Sequence, residues 1–383
     1  MTKFEQLIQD LCPNGVKMVK LGDVVDVLRG KRLTKSELSE DAQYNVYHGG
    51  LEPLGKYHLA NREADTVMVI NVGASAGTVG YSDMPFWSSD GCFCLSHSNE
   101  VNNKYLYYYL QTETNTLVSR VRRAGIPTLD SNSVLSLQIP LPPLAVQSEI
   151  VRILDKFTLY KSELAAELAA RLQQYEYYRD QLFTFGDDVE RKTLGEIGTF
   201  TRGRRFCRTD IVDEGQSCIH YGDIYTYYGL NTTTTKTHLP YDFPVKLRYA
   251  EKGDVVIVGA GENDMDIGVG VVWEGNDSVA VHDACYIFKH NMNPRYISHY
   301  LRTINYHLQI KKYVNRGKIC SISAEGIAKA VIPIPSLAEQ ERIASILDRF
   351  DKLCHDIREG LPAEIDLRQK QYEYYRDKLL TFG

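Results

Sequence analysis

Residues 174–180 read QYEYYRD, and residues 371–377 read QYEYYRD again. The match is seven residues long at an offset of 197, and both copies close on TFG, at 184–186 and 381–383. Working outward, IPLPPLAVQSEIVRILDKF at 139–157 answers IPIPSLAEQERIASILDRF at 332–350, now at an offset of 193, so the second copy holds four more residues between its two motifs. Further upstream, KLGDVVDVLRGKRL at 20–33 answers TLGEIGTFTRGRRF at 193–206. Between these fixed stretches the copies agree only in outline: YHGG at 47–50 stands beside HYGD at 220–223, and SDGCFCL at 89–95 beside HDACYIF at 282–288. Two fixed frames around two diverged middles describe a duplicated scaffold with two differently specialised surfaces.

The end of each copy reads as a long helix. In the first, Ile150, Leu154, Phe157, Tyr160, Leu164, Leu168, Leu172, Tyr175, Tyr178 and Leu182 recur at steps of three and four, which predicts an amphipathic helix over 144–183, roughly 60 Å long at 1.5 Å per residue. In the second, the seam from Ile343 through Phe350 to Ile357 is broken at Gly360-Leu361-Pro362, where proline kinks or restarts a helix. Two such apolar seams are best satisfied by each other, and an antiparallel pair is the easier one to close. FEQLIQDL at 4–11 precedes the first LGD much as YEYYRDQLFTF precedes the second LGE, so the repeat wraps around the termini. The expected segments are a helical piece at 1–16, globular domains at 17–143 and 187–335, and spacer helices at 144–186 and 336–383. Within the globular parts, TVMVIN at 66–71 and DVVIV at 254–258 read as strands, and 103–111 and 294–307 as helices. The fold class is α+β: two homologous mixed α/β domains separated by two long antiparallel helices, with internal pseudo-twofold symmetry.

A chain of 383 residues with 43% hydrophobic and 24% charged residues is long enough for two cores. No window approaches 18 uninterrupted apolar residues, and acidic residues stand where a signal peptide would be apolar, so membrane spanning and export are not expected and a cytoplasmic protein is. Eight cysteines form no CxxC pair; Cys92 and Cys94 would share one face of a strand as core residues. The net charge of −5 excludes a histone-like binder but leaves locally basic grooves open.

A search for catalysis returns absences: no GxxxxGK[ST], GxGxxG before a helix, HExxH or GxSxG. The glycine-rich run 259–270 reads as a turn between strands, and Asp254, Glu262, Asp264 and Asp266 as loop carboxylates without a counterpart in the first copy. Positive charge, by contrast, recurs. Arg29, Lys31, Arg32 and Lys35 answer Arg202, Arg204, Arg205 and Arg208. Arg120, Arg122 and Arg123 precede the first exit segment, and Lys311, Lys312, Arg316 and Lys318 the second. Beside Tyr47, His48, His220 and Tyr221, these clusters suit phosphate contacts with aromatic and polar side chains alongside. On the helices, Tyr175, Tyr178, Tyr372 and Tyr375 lie at i, i+3 spacing beside the seams with Arg179 and Arg376 near the edges, a candidate surface for partner proteins. Two related domains held apart by helices match duplex DNA with two half-sites and a fixed spacer.

On these motifs, the LGD and LGE segments with RGKR and RGRR, the IPLPPLAVQ and IPIPSLAEQ segments, ILDKF and ILDRF, and the paired QYEYYRD with their TFG ends, the whole chain resembles the specificity subunit of type I restriction-modification enzymes. GLPAEI at 360–365 followed by RQKQYEYYRD is especially close to that pattern, whereas the first copy departs from it with SELAAELAARLQ. The resemblance implies two target recognition domains reading one bipartite, asymmetric double-stranded DNA sequence. It also implies helices that dock two methyltransferase subunits and, with them, restriction/motor subunits. S-adenosylmethionine, ATP and Mg would then be cofactors of the partners and none of this chain, a non-catalytic subunit. The missing [DN]PP[YF] element agrees, NPRY at 293–296 being a poor imitation. The rival readings are a fused DNA-modifying enzyme with an unrecognised site and a coiled-helix scaffold that does not touch DNA.

Overall fold

The LG dipeptide that opens each copy is buried for the same reason twice. Leu21 and Leu194 are fully enclosed, their amides donate to Leu137 O and Ala330 O at 2.8 Å in both cases, and the following Gly22 and Gly195 lie against the short helices Ser131–Leu135 and Ala324–Ala328. Just before them, Met18–Lys20 pairs antiparallel with Gln138–Pro140, and Arg191–Thr193 with Val331–Pro333, with Val19 opposite Ile139 and Lys192 opposite Ile332. The beginning and end of each globular part are thereby clipped together.

The computed structural model describes residues 3–261, 266–317, 319–356 and 359–382. The chain divides into two units, Met1–Leu164 with Ile365–Gly383, and Ala165–Glu364. In the first, a four-stranded antiparallel sheet runs in the order Val27–Leu28, Cys92–Leu95, Thr66–Ile70, Val79–Ser82, beside a three-stranded sheet Gly55–Tyr57, Tyr44–Tyr47, Trp87–Ser88 whose last pair is parallel. In the second, Gly198–Arg202, Cys285–His290, Val255–Val258 and Gly270–Trp273 repeat the first order and add Asn231–Thr232 at the edge. Thr237–Leu239, Gln216–Ile219 and Val279–Val281 repeat the second and add Tyr249–Ala250. The duplication read from motifs is therefore a duplication of topology, and the diverged middle of the second copy brings two extra edge strands. Cys92 and Cys94 are buried in one strand, as their spacing predicts.

The helix expected over 294–307 is two helices, Pro294–Tyr300 and Ile304–Ile310. Thr303 breaks it by capping the second, its hydroxyl accepting from the Tyr306 amide. Asn293 and Pro294 of NPRY are the cap and first turn of the earlier helix. The long exit helix spans Leu144–Leu182 without interruption, whereas the second exit is Leu337–His355 and, restarted with Pro362 in its first turn, Leu361–Leu380. Ile357, part of the predicted seam, lies outside the described residues.

Each exit helix is anchored to its globular part by a matched set of polar contacts. Gln147 and Gln340, from the LAVQ and LAEQ segments, are buried. Their side-chain carbonyls accept the Asn102 amide at 2.7 Å and the Asn293 amide at 3.0 Å, at the start of the helices Asn103–Thr112 and Pro294–Tyr300. The aspartate of ILDKF and ILDRF does the rest. Asp155 takes Lys104 at 2.9 Å and the Tyr108 hydroxyl at 2.6 Å; Asp348 takes Arg295 at 3.3 Å and His299 Nε2 at 2.8 Å. Burial lowers the pKa of His299 against the pull of Asp348, and with Nε2 facing that carboxylate its Nδ1 lies 3.4 Å from the Tyr175 hydroxyl.

Candidate nucleic-acid interface and docking helices

The RGKR turn follows Val27–Leu28 and is held by its backbone. A Cβ on Gly30 would lie 1.9 Å from Ser89 O, so only glycine lets the chain approach this closely. Lys31 N donates to Ser88 O at 2.9 Å, Trp87 Nε1 donates to Lys31 O at 2.7 Å, and an Arg62 guanidinium nitrogen donates to Arg29 O at 2.6 Å. With the main chain fixed, the Arg29, Lys31 and Arg32 side chains stand exposed. The RGRR turn repeats the device. Gly203 has no room for a Cβ beside His282 O, at 2.1 Å, Arg204 N donates to Val281 O at 2.9 Å, and Arg248 donates to Arg202 O at 2.5 Å. Arg204 and Arg205 are exposed, and Arg202 reaches across to the Asp283 carbonyl at 2.7 Å.

In the first unit the structure joins the two basic clusters that the sequence separates by ninety residues. Arg29, Arg120 and Arg122 line one cavity of about 370 Å³ together with Asn71, Asp90 and Asp130. Arg120 is tied down to Ser133 O and Ser136 Oγ, at 2.6 and 3.1 Å, whereas Arg122 and Arg123 are exposed on a hairpin. In the second unit Lys312 lies over the Tyr313 ring at 5.1 Å and Arg316 is exposed on the equivalent hairpin. Lys318 lies outside the described residues, as do Glu262 and Asp264, while Asp254 caps its own turn and pairs with Lys289 at 3.6 Å.

The aromatic companions of these clusters divide by copy. Tyr47 packs edge-on against Phe86 and His48 is exposed, its Nδ1 accepting from the Gly91 amide at 3.2 Å. The Asp90 carboxylate lies 3.1 Å from the same nitrogen. His220 is different: it lies buried among Phe206, Tyr221 and His282, and burial pushes its pKa down to about 4. It caps Tyr221–Thr226 through Nδ1 and supports the turn from beneath, without offering a cation to phosphate. Tyr221 is half-buried beside it.

The QYEYYRD segments have the same internal arrangement in each unit, and each packs against the other copy's ILDxF motif. In the first unit Tyr375 stacks on Phe157 at 5.3 Å and Tyr372 meets Tyr108 at 6.5 Å; in the second Tyr178 stacks on Phe350 at 5.8 Å and Tyr175 meets His299 at 6.4 Å. Phe157 meeting Tyr375 while Lys161, further along, donates to Gln369 at 2.8 Å shows the helices of the first unit running antiparallel, and Arg368 lies over Tyr160. Arg179 and Arg376 each lie over the first tyrosine of their own motif, at 5.3 and 5.7 Å. Tyr175 is buried and Tyr372 partly so, which makes them packing residues, while Tyr178 and Tyr375 are each 41% exposed. The tyrosines that sequence reasoning passed over stand out further: Tyr177 and Tyr374, the middle ones, are 60% and 61% exposed. Their off-seam position in the heptad was the available signal.

A family model described as "Type I restriction modification DNA specificity domain" matches residues 13–174 and 186–367. The chain belongs to this family. The match falls twice, once per copy, which is the duplication seen in the fold. Among curated relatives, a provisionally named type I restriction enzyme specificity subunit of Haemophilus influenzae is 32% identical over 100% of this chain and 99% of its own. The EcoR124I/EcoR124II specificity subunit of Escherichia coli is 34% identical over 74% of this chain and 72% of its own. The type I restriction-modification S subunit of M. genitalium covers 96% of both chains at 18% identity with a TM-score of 0.56. A second solved chain, described under complex assembly and conformational transition of the type I R-M system, covers 96% of this chain and 98% of its own at 16% identity with a TM-score of 0.63. At these identities the solved structures establish the fold alone. Family membership assigns the chain a part in DNA specificity, with catalysis left to others. Among the described residues no group of three or more His, Cys, Asp or Glu is placed to hold a metal ion, and no helix is long and apolar enough to cross a membrane.

Proposed function

We infer that the chain reads a bipartite, asymmetric DNA sequence, one part through each copy, and brings two adenine-N6 methyltransferase subunits and the motor-nuclease subunits to it. The observation that carries this reading is the same sheet-and-turn scaffold built twice with different decoration. Each copy fixes a glycine against a neighbouring strand to project a basic turn, yet the residues around the turns differ, from the exposed His48 to the buried His220. Equal frames with unequal surfaces suit two unequal half-sites. Residues 17–143 and 187–335 are the proposed target recognition domains, with 1–16, 144–186 and 336–383 as the helical parts between and around them.

Arg29, Lys31, Arg32, Arg122 and Arg123 are the proposed phosphate contacts of the first copy, and Arg202, Arg204, Arg205, Lys312 and Arg316 those of the second. Tyr178 and Tyr375, with Arg179 and Arg376 at their edges, are the proposed docking surface. S-adenosylmethionine, ATP and Mg belong to the partners in this reading. The relatives named as specificity subunits of type I restriction enzymes support it. Genome-wide mapping of methylated adenine, with and without this chain, tests it. A single two-part motif that disappears with the chain is expected, and an unchanged methylation pattern would overturn the reading.

A further inference from the structure

Residues 122–128 fold back on themselves. Arg122 and Thr128 exchange backbone hydrogen bonds of 2.9 and 3.0 Å, and the chain between them turns through Gly125 at φ +86°, with nothing within 4 Å of where a Cβ would stand. At the tip is Ile126, 71% exposed and followed by Pro127, which stiffens the turn. In the second copy Asn315 and Ser321 exchange the same two bonds, at 2.8 and 3.0 Å, and the tip carries Ile319, 62% exposed. Ile126 and Ile319 stand 193 residues apart, the offset that relates 139–157 to 332–350. One exposed isoleucine needs no explanation. The same isoleucine at the tip of the same hairpin, in two copies whose surroundings have diverged, does.

The surroundings indicate what it meets. Arg122 and Arg123 flank the first tip, and Arg122 lines a cavity with Arg29 of the basic turn; Arg316 is exposed beside the second tip. An apolar protein partner would be met by an apolar rim, whereas here each isoleucine is neighboured along the chain by exposed arginine. Duplex DNA is the polyanion that offers an apolar face to such a point, between stacked base pairs, with phosphates to either side for the arginines. The geometry points to Ile126 and Ile319 as wedges, each inserting at one base step of its own half-site, unstacking it and kinking the duplex. Pyrimidine–purine steps open most readily, so each wedge adds a preference that requires no hydrogen bond to a base.

The inference rests on the DNA reading proposed above, and its test separates the two. The full chain, assembled with its methyltransferase subunits, is titrated onto duplexes carrying the motif found by methylation mapping, with 2-aminopurine placed at one position at a time other than the methylated adenine, which a methyltransferase takes out of the stack by itself. A rise in emission at one step per half-site is expected. Ile126→Ala should abolish the rise in the first half only and Ile319→Ala in the second, each weakening binding about tenfold, the order of one mismatched base pair. Ile126→Leu, which keeps an apolar tip, should restore the signal, and Leu59→Ala, another exposed apolar site, should leave it untouched. Specific binding without any local rise, or with a rise that survives both alanine variants, overturns the wedges and leaves the DNA reading standing. Variants that unstack DNA normally but lose the methyltransferase overturn the wedges in favour of a protein contact. Absence of any sequence-specific binding overturns both.

Discussion

Replacing Gly30 by alanine tests whether the basic turn is a built part of the scaffold or an ordinary surface loop. The added Cβ would stand 1.9 Å from Ser89 O, 2.3 Å from Ser89 C and 2.7 Å from Ser88 O, all backbone atoms that no rotamer change can move away. Relief to 3.0 Å, the shortest separation real Cβ atoms adopt, requires the two segments to part by about 1 Å, an overpacking strain of roughly 1–3 kcal/mol. The same movement stretches the 2.9 Å bond from Lys31 N to Ser88 O and the 2.7 Å bond from Trp87 Nε1 to Lys31 O beyond hydrogen-bond range, with a net loss of about 1 kcal/mol each. A destabilisation of about 3–5 kcal/mol is expected, seen as a melting transition lowered by roughly 6–20 °C for a unit of this size. Gly203→Ala, whose Cβ would meet His282 O at 2.1 Å and Val281 O at 2.3 Å, should do the same to the second unit. Gly125→Ala is the contrast: its site is empty, and only the positive φ costs it, about 1 kcal/mol. Differential scanning calorimetry with denaturant titration measures all three. A Gly30→Ala protein within about 0.5 kcal/mol of the parent, the usual range for an ordinary surface position, would refute the argument that these glycines exist to let two backbones touch.

Neutralising Arg29, Lys31 and Arg32 together should weaken DNA binding and lower the slope of log affinity against log salt by about 2.7, at roughly 0.9 per phosphate contact; an unchanged slope in a folded variant would make them bystanders. Gln147→Leu and Gln340→Leu should each cost about 1–3 kcal/mol, because the Asn102 and Asn293 amides lose their buried acceptor, as denaturant unfolding would show. Glu149, gripped by Arg152 and Lys3, has its pKa lowered from 4.5 to about 2. Its contribution is therefore complete above pH 4.5 and is lost as pH falls toward 2, and Glu149→Gln should remove that acid-sensitive part of the stability profile. His220 titrates in the other window: buried neutral with a pKa of about 4 against an ordinary 6.5, it favours the folded state fully above pH 6.5 and progressively less down to 4. His220→Gln should flatten the second unit's unfolding profile across that window.

The duplication, the long exit helix, the restart at Pro362 and the buried Cys92 and Cys94 were legible because each depends on local periodicity or on direct comparison of two stretches. What lay beyond reading depends on contacts between distant residues. Nothing in QYEYYRD says that its last tyrosine will stack on the ILDxF phenylalanine of the opposite copy, because Phe157 lies 218 positions from Tyr375 and both seams look alike. Gln147 and Asp155 read as ordinary polar positions on a helix until the Asn102 amide and Lys104 are brought against them. His220 and His48 occupy matching places after matching strands, yet one is buried and the other exposed. The difference comes from the rings of Phe206 and His282, supplied by remote parts of the second copy.

The crossed pairing of motifs also sets an order of events during synthesis. Residues 165–364 form one uninterrupted stretch, whereas the unit that begins with the first residues also needs 365–383, whose Leu379, Leu380 and Phe382 fill its core beside Leu106 and Leu154. On the ribosome, where chains lengthen by about 5–20 residues per second, the half translated first must wait, its core open on one side, until the half translated second has emerged in full. The nascent chain thus closes its later half before its earlier one, and the exposed apolar surface of the waiting half is the interval in which a chaperone has something to hold.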